Sequence, residues 1–298
     1  MKNRIIYNFT DDTSMALCLA NSLIVCRYFN PYDQLVRYKW WYKYGYMSST
    51  GHCFGMEEAT RQSIEEFQRR QKNEDGVAGN GALMRLAPVP LFFYKFPELA
   101  VEYSGRSGKI THGDEKAYDA CRYYAALIVA AVNGEVFVKK YLILLMDLIN
   151  EKRGYDDGIR GEGYVVNALE AALWAFWDDE NLFKKGALAA VNLGDDTDTT
   201  AAIYGQLAGA CYGYNEVPKL WRKDLYAHDL LVKVDEWLCF RGSQYNGSTA
   251  MLKLSQLITP TNTSSTQQNR KQYLTSMKSL DPIILSKFHT PASSSSDY

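Results

Sequence analysis

Apolar residues recur along most of this chain at helical spacing, and Val/Ile/Thr alternation bounded by turns never persists for five residues. After Thr13, residues Ala16, Leu19, Ala20, Leu23 and Ile24 fall at i, i+3, i+4, i+7 and i+8, one face of an amphipathic helix. Pro31-Tyr32-Asp33 ends that helix. Residues 34–46 form a Trp/Tyr-rich helix whose adjacent Trp40 and Trp41 are expected in the core. Residues 57–72 place Glu and Arg on one face and Ala59, Ile64 and Phe67 on another, which predicts a half-exposed helix. Residues 115–131 and 136–150 are apolar-periodic helices, and 164–177 is a buried one with Leu169, Leu173 and Phe176 on one face. Residues 219–238 predict a last helix, with Trp221, Leu225, Leu231, Val234 and Leu238 available to the core. The expected fold is all-α, a compact single-domain many-helix bundle over residues 1–245.

The pattern stops beyond about Phe240. Residues 259–268 are Thr, Pro, Asn, Ser and Gln only, and Ser293 begins a serine run. Too little apolar surface is left there to offset ordering entropy. Residues 246–298 are therefore expected to be a disordered tail, with 282–288 its one sticky patch.

The most informative stretch is residues 191–213. It opens with Asp195, Asp196 and Asp198 interleaved with Thr197, Thr199 and Thr200, then turns small and apolar. Asp and Thr ahead of an apolar run are helix-start signals, because their oxygens satisfy the free N–H groups of the first turn. Ala201, Gly205, Gly209 and Gly213 then recur every fourth residue along one helix face. Glycine costs a helix roughly 1 kcal/mol relative to alanine. That stripe is therefore expected to face a neighbouring helix backbone at close range.

The acidic start exceeds what capping needs. Clustered carboxylates repel one another and raise each other's pKa unless a cation is present, so an over-acidic cap and a metal site are both open on these residues alone. In a regular helix Asp196 and Asp198 lie about 200° apart. In an irregular loop leading into the helix they can converge. Thr10-Asp11-Asp12-Thr13 is a second acidic mouth on a second apolar helix. If the two mouths meet, Asp11, Asp12, Asp196 and Asp198 gather beside Thr hydroxyls. All-oxygen ligation of that kind suits Mg²⁺ or Mn²⁺, and two divalent ions would balance four carboxylates.

Bulk composition narrows the field. Lys and Arg total 33 against 34 Asp and Glu, a net charge of −1, which gives no footprint for nucleic acid. No 18-residue apolar run is present, and the first eight residues hold no signal-peptide core, so neither a membrane span nor a leader is expected and the cytoplasm is the expected compartment. The six cysteines have no Cys-x-x-Cys spacing, and Cys18, Cys121 and Cys211 read as buried thiols.

The residues resemble a known family, the ADP-ribosylglycohydrolases, in particular the bacterial ADP-ribosylarginine hydrolase (dinitrogenase reductase-activating glycohydrolase) type. The resemblance rests on an ordered set: Thr10-Asp-Asp-Thr-Ser-Met-Ala-Leu17, Gly45-Tyr-Met-Ser-Ser-Thr-Gly51, Gly79-Asn-Gly-Ala-Leu-Met-Arg-Leu-Ala-Pro88, Thr111-His-Gly113, Gly163-Tyr-Val-Val-Asn-Ala-Leu-Glu-Ala-Ala-Leu-Trp174 and the stretch 191–213. It implies Mg²⁺-dependent hydrolysis of the glycosidic bond between ADP-ribose and a protein side chain, most simply arginine. It implies Thr10, Asp11, Asp12, Asp196, Asp198 and Thr199 as ligands of two Mg²⁺ (or Mn²⁺) ions, with Asp12 or Asp11 as general base.

The same resemblance sets Gly79, Asn80 and Gly81 against the diphosphate of ADP-ribose, a use of glycine-rich backbone ahead of a helix that is physically sound. It sets His112 near the nucleotide, and Gly163 and Tyr164 beside the cleft. The expected partner is ADP-ribose or an ADP-ribosylated protein, with no nucleic acid or membrane; the sequence leaves the oligomeric state open, with a monomer favoured. Nine residues precede Thr10, fewer than the family's opening helix with Gly-Asp-x-x-Gly and a following acidic residue requires. The expectation is an N-terminally shortened member. Its rival readings are an ADP-ribose-binding pseudoenzyme and a structural, crystallin-like protein.

Overall fold

A computed structural model describes residues 6–69, 78–135, 138 and 154–247, with backbone alone at 67–69. The described residues form eleven α-helices and no sheet. They are α1 (Asp11–Cys26), α2 (Pro31–Tyr44), α3 (Glu58–Arg69), α4 (Pro88–Phe92), α5 (Pro97–Lys109), α6 (Glu115–Val132), α7 (Val165–Asp178), α8 (Phe183–Val191), α9 (Thr197–Tyr212), α10 (Lys219–Asp224) and α11 (His228–Gln244). All lie in one compact unit, Met1–Gly247. The expected helix at 136–150 and the tail from 248 onward lie outside the described residues.

Local chemistry explains several boundaries. Pro31 stands at the first position of α2 rather than closing α1, because proline's missing N–H costs nothing there. Asn30 caps that helix by accepting from the Asp33 N–H. Gly45 closes α2 in the left-handed conformation (φ 65°), with room for no side chain because Gly51 O would lie 2.1 Å from a Cβ. Asp114 caps α6 by accepting from the Lys116 N–H.

Two helices organise the rest. α9 packs on α6, α7 and α8, and its N-terminal region meets α1, which itself packs on α2, α4 and α11. Tyr38, Trp41, Phe92, Phe93, Tyr124, Phe176 and Tyr204 are fully buried between these layers. Gln206 fastens α9 to the turn before α4: its amide donates to Met84 O at 2.8 Å, and its oxygen accepts from Ala87 N at 2.7 Å. Buried Asp179 accepts hydroxyl hydrogen bonds from Tyr204 (3.1 Å) and Tyr212 (2.9 Å), which ties the length of α9 to the end of α7.

Some packing departs from expectation. Leu169, Leu173 and Phe176 are buried as the spacing implies, and so are Ala59 and Ile64. Trp41 is buried but its neighbour Trp40 is 40% exposed. Of the five apolar positions expected to be available to the core in 219–238, Leu238 alone is buried, and Trp221 is exposed. Cys18 and Cys121 are buried, whereas Cys211 is half-buried. Among the described residues the small-residue stripe of α9 meets no neighbouring backbone: a Cβ at Gly205 or Gly209 would find none of their atoms within 4 Å. Close helix contact falls at other glycines. A Cβ at Gly242 would lie 2.5 Å from Phe92 O, and one at Gly186 would lie 2.3 Å from the Tyr204 hydroxyl oxygen.

Candidate metal centre and cleft

The starts of α1 and α9 converge. Asp11, Asp12 and Asp198 each offer a carboxylate oxygen within 4.8 Å of the others, although 186 residues separate Asp12 from Asp198 in sequence. Neither mouth acts as a simple cap, for Thr10 and Asp196 hold the N-cap positions without a side-chain capping bond. Thr10 Oγ1 instead donates to Asp12 Oδ2 at 2.6 Å. The Thr199 hydroxyl also lies against Asp12, 3.9 Å from Met84 sulfur.

Asp12 is 2% exposed, and its buried Oδ1 makes no hydrogen bond among the described residues. An orphaned carboxylate oxygen in the interior is costly, and a cation shared with Asp11 and Asp198 would satisfy it. The donor set therefore fits a hard divalent ion. Burial first, then the Asp12 charge, with smaller contributions from Asp198 and Asp196, push the Asp11 carboxyl up to about 7. Burial pushes Asp12 up to about 6, with Asp198 adding to the rise and the Thr10 and Thr199 hydroxyls opposing it.

Asp196 stands beside this trio rather than in it. Gly194 and Asp195 both take left-handed conformations (φ 78° and 57°), which swings the chain so that Asp196 Oδ2 accepts from the Asn80 amide at 2.7 Å. The Asp196 N–H donates to Gly161 O at 2.7 Å, fixing the loop that leads to Gly163. Asp196 is still near enough to contribute to the rise at Asp11.

Asn80 joins the metal side to the remaining cleft residues. Its N–H donates to Gly163 O at 2.9 Å, and Gly79 pairs with Tyr164 in an isolated antiparallel bridge. Gly79, Asn80, Gly81, Gly163 and Tyr164, drawn from two distant segments, thus form one ridge. His112, fully buried, stands behind the ridge: a Cβ at Gly79 would lie 3.1 Å from its Nε2.

Two residues of this wall escape a local sequence reading. Glu57 looks like part of the solvated Glu/Arg face of α3, yet it precedes that helix and its Oε2 lies 2.8 Å from His112 Nε2. A Cβ at Gly79 or Gly81 would meet the Glu57 carboxylate at 1.8 or 2.1 Å, so that carboxylate fills the face of the glycine loop. Arg85, also fully buried, donates to Gly81 O at 2.8 Å and to Thr111 Oγ1 at 2.6 Å. Its guanidinium lies over the Tyr38 ring, 4.8 Å from the centroid. Arg85 falls within the 79–88 motif, but its contact with Thr111 and that of Glu57 with His112 span 26 and 55 residues and emerge only in the fold.

An all-helical bundle with an oxygen-only carboxylate centre opening beside a glycine ridge matches one known class. Residues 4–246 fit the ADP-ribosylglycohydrolase family, and the chain belongs to it as a glycohydrolase enzyme. It is 36% identical over 261 residues to the ADP-ribosylarginine hydrolase Tri1 of Pseudomonas putida (strain GB-1), covering 82% of this chain and 69% of that protein. It is 34% identical over 249 residues to the protein of the same name from Serratia proteamaculans (strain 568), covering 78% and 67%. A solved structure described as an ADP-ribosylglycohydrolase-related protein complex superposes with a TM-score of 0.64 at 33% identity, covering 78% of this chain and 81% of that one.

Proposed function

We propose that this enzyme cleaves the bond between ADP-ribose and an arginine side chain of a modified protein, with Mg²⁺ as its ion and Mn²⁺ as a substitute. The observation that carries the reading is the convergence of Asp11, Asp12 and Asp198, with carboxylate oxygens within 4.8 Å of one another and the Asp12 Oδ1 buried without a hydrogen bond among the described residues. The arginine acceptor is supported by relatives at 34% and 36% identity that bear the name ADP-ribosylarginine hydrolase.

The reaction adds water across the glycosidic bond. Water oxygen bonds to the anomeric carbon of the ribose as the carbon–nitrogen bond to the guanidino group breaks. Asp12 takes the proton from water and passes it to the departing nitrogen, so the arginine side chain leaves as its guanidinium and the carboxylate is restored. Burial lifts the Asp12 carboxyl above the ordinary carboxylate range in the metal-free chain, and a bound cation would draw it back down. Thr10 holds the other Asp12 oxygen at 2.6 Å and fixes the direction of the free one. Asp11, Asp12 and Asp198, with Thr10, Thr199 and Asp196 at their edge, would hold the ion or pair of ions. Its charge would offset the carboxylates and would polarise the oxygens bound to it. The ridge of Gly79, Asn80, Gly81, Gly163 and Tyr164, backed by His112, orients the nucleotide.

Release of ADP-ribose from an ADP-ribosylarginine peptide tests the reading. Release with millimolar Mg²⁺, its loss on chelation and its loss in Asp12→Asn are expected. Tight binding of ADP-ribose without release would instead show a binding protein that has lost catalysis.

A further inference from the structure

Glu57 is a carboxylate of the cleft wall outside the Asp11–Asp12–Asp198 cluster, and the hydrogen bonds behind it form a directed chain. A guanidinium N–H can only donate, so Arg85 Nη2 donates to Thr111 Oγ1 at 2.6 Å. The Thr111 hydroxyl proton then goes to His112 Nδ1, 2.8 Å away. With Nδ1 accepting, the neutral imidazole carries its proton on Nε2 and donates it to Glu57 Oε2 at 2.8 Å. Each of the three bonds then has one donor and one acceptor, and the imidazole tautomer is assigned from that network. Arg85, Thr111 and His112 are all buried, and Glu57, at 31% side-chain exposure, is the end that reaches solvent.

The carboxylate also has a seat shaped for it. Its oxygens occupy the space that a Cβ at Gly79 or Gly81 would take. Asn80, between those glycines, turns the other way to Asp196. Gly55, two residues before Glu57, would bring a Cβ within 2.7 Å of Asp11 Oδ1. Two residues span at most about 7 Å, so the segment from Gly55 to Glu57 runs from the acidic centre along the cleft wall.

We propose that Glu57 is a substrate-binding carboxylate, aimed by His112, which accepts a hydrogen bond from a donor group of the ligand. The inference rests on the ADP-ribosylarginine reading and assigns this chain's glycine loop a different ligand group from a diphosphate. A carboxylate repels phosphate and attracts hydroxyl or guanidinium N–H donors. ADP-ribosylarginine offers both, in its ribose hydroxyls and in its guanidino group.

Glu57→Ala and Glu57→Gln separate the possibilities, with ADP-ribose affinity measured by calorimetry and kcat/KM measured on an ADP-ribosylarginine peptide. A fall of fivefold or more for the peptide in Glu57→Ala is expected, with partial recovery in Glu57→Gln, which keeps an acceptor oxygen. A parallel loss of ADP-ribose affinity assigns the contact to a ribose hydroxyl. Unchanged ADP-ribose affinity assigns it to the guanidino group. Tighter ADP-ribose binding by Glu57→Ala would overturn the proposal by showing that the carboxylate obstructs an anion, and two unchanged values would overturn it as well. Should Glu57→Ala fail to fold, Glu57→Gln alone decides, since a purely structural role satisfied by an amide leaves both values at wild type. Wild-type protein that neither binds ADP-ribose nor releases it would overturn the hydrolase reading and this one together. An active wild type with an indifferent Glu57→Ala would overturn this one alone.

Discussion

The side-chain amide of Asn80 donates to Asp196 Oδ2 across 2.7 Å, joining the glycine loop to the acidic start of α9 over 116 residues of sequence. The bond holds the Asp196 carboxylate at the glycine loop beside the Asp11–Asp12–Asp198 trio, where its charge still reaches Asp11. Partners that orient metal-site carboxylates typically contribute about 10–100-fold in affinity or activity. Asn80→Ala is accordingly expected to weaken Mn²⁺ binding by about tenfold, as read by calorimetric titration. Wild-type affinity in the variant would show that Asp196 needs no such guide.

Glycines in this chain are expected to respond in opposite ways to the same substitution. Gly242→Ala drives a Cβ to within 2.5 Å of the Phe92 carbonyl oxygen, a backbone atom that cannot rotate away. It should destabilise by about 1–3 kcal/mol, the usual range for overpacking. Gly205 lies mid-helix in α9, with none of the described residues within 4 Å of its Cβ position. There alanine removes glycine's helix cost, and Gly205→Ala should stabilise by about 0.5–1 kcal/mol. Urea unfolding of the two variants checks both signs, and destabilisation by Gly205→Ala would show that the stripe is packed after all.

That contrast marks how far the sequence can be read. Four-residue spacing shows that Ala201, Gly205 and Gly209 share a face, but not what lies opposite that face. The acidic mouths were legible because each carries more charge than a helix start can use, so a shared ligand was the economical explanation for both. Glu57 was not. Glu58 and Arg61 beside it do pair on an exposed surface at 2.5 Å, so the local pattern is that of a solvated face. Glu57 differs only because the fold brings His112, 55 residues away, to its carboxylate. Trp221 and its neighbours misled for a similar reason, since apolar spacing on α10 and α11 says nothing about how little core lies beneath.

The acidic centre should make the metal-free protein unusually sensitive to neutral pH. Asp11 and Asp12 rise from the ordinary 3.8 to about 7 and about 6 in the folded chain. Between those values the folded state binds more protons than the unfolded state. The stability this contributes is fully present below about 3.8 and is lost as pH rises through 6 and 7. A tenfold difference in proton affinity between the two states is worth about 1.4 kcal/mol, and relaxation of the cluster recovers part of it. Chelator-treated protein should therefore melt several degrees higher at pH 5.5 than at pH 7.5, and Asp11→Asn should flatten that dependence. A melting temperature that climbs from pH 5.5 to 7.5 in the absence of metal would contradict the buried cluster.

Metal binding and stability meet at Asp198, the exposed member of the trio. Mg²⁺ or Mn²⁺ that binds the folded chain and not the unfolded one raises the melting temperature by mass action, by about 2.7 kcal/mol of stability at a hundredfold excess over Kd. Asp198→Asn removes one ligand charge from the site and should abolish most of that rise. It also removes a charge that raises both Asp11 and Asp12, so the metal-free variant should be as stable as wild type or slightly more so. A capping role predicts the reverse: little response of wild type to metal, and a loss of about 0.5–2 kcal/mol in the variant. The α9 geometry already weighs against capping, because the N-cap position belongs to Asp196 and carries no side-chain capping bond. Thermal melts of both proteins with and without millimolar Mg²⁺ separate the two accounts, and a wild-type melting point indifferent to Mg²⁺ and Mn²⁺ alike would remove the metal centre from the mechanism.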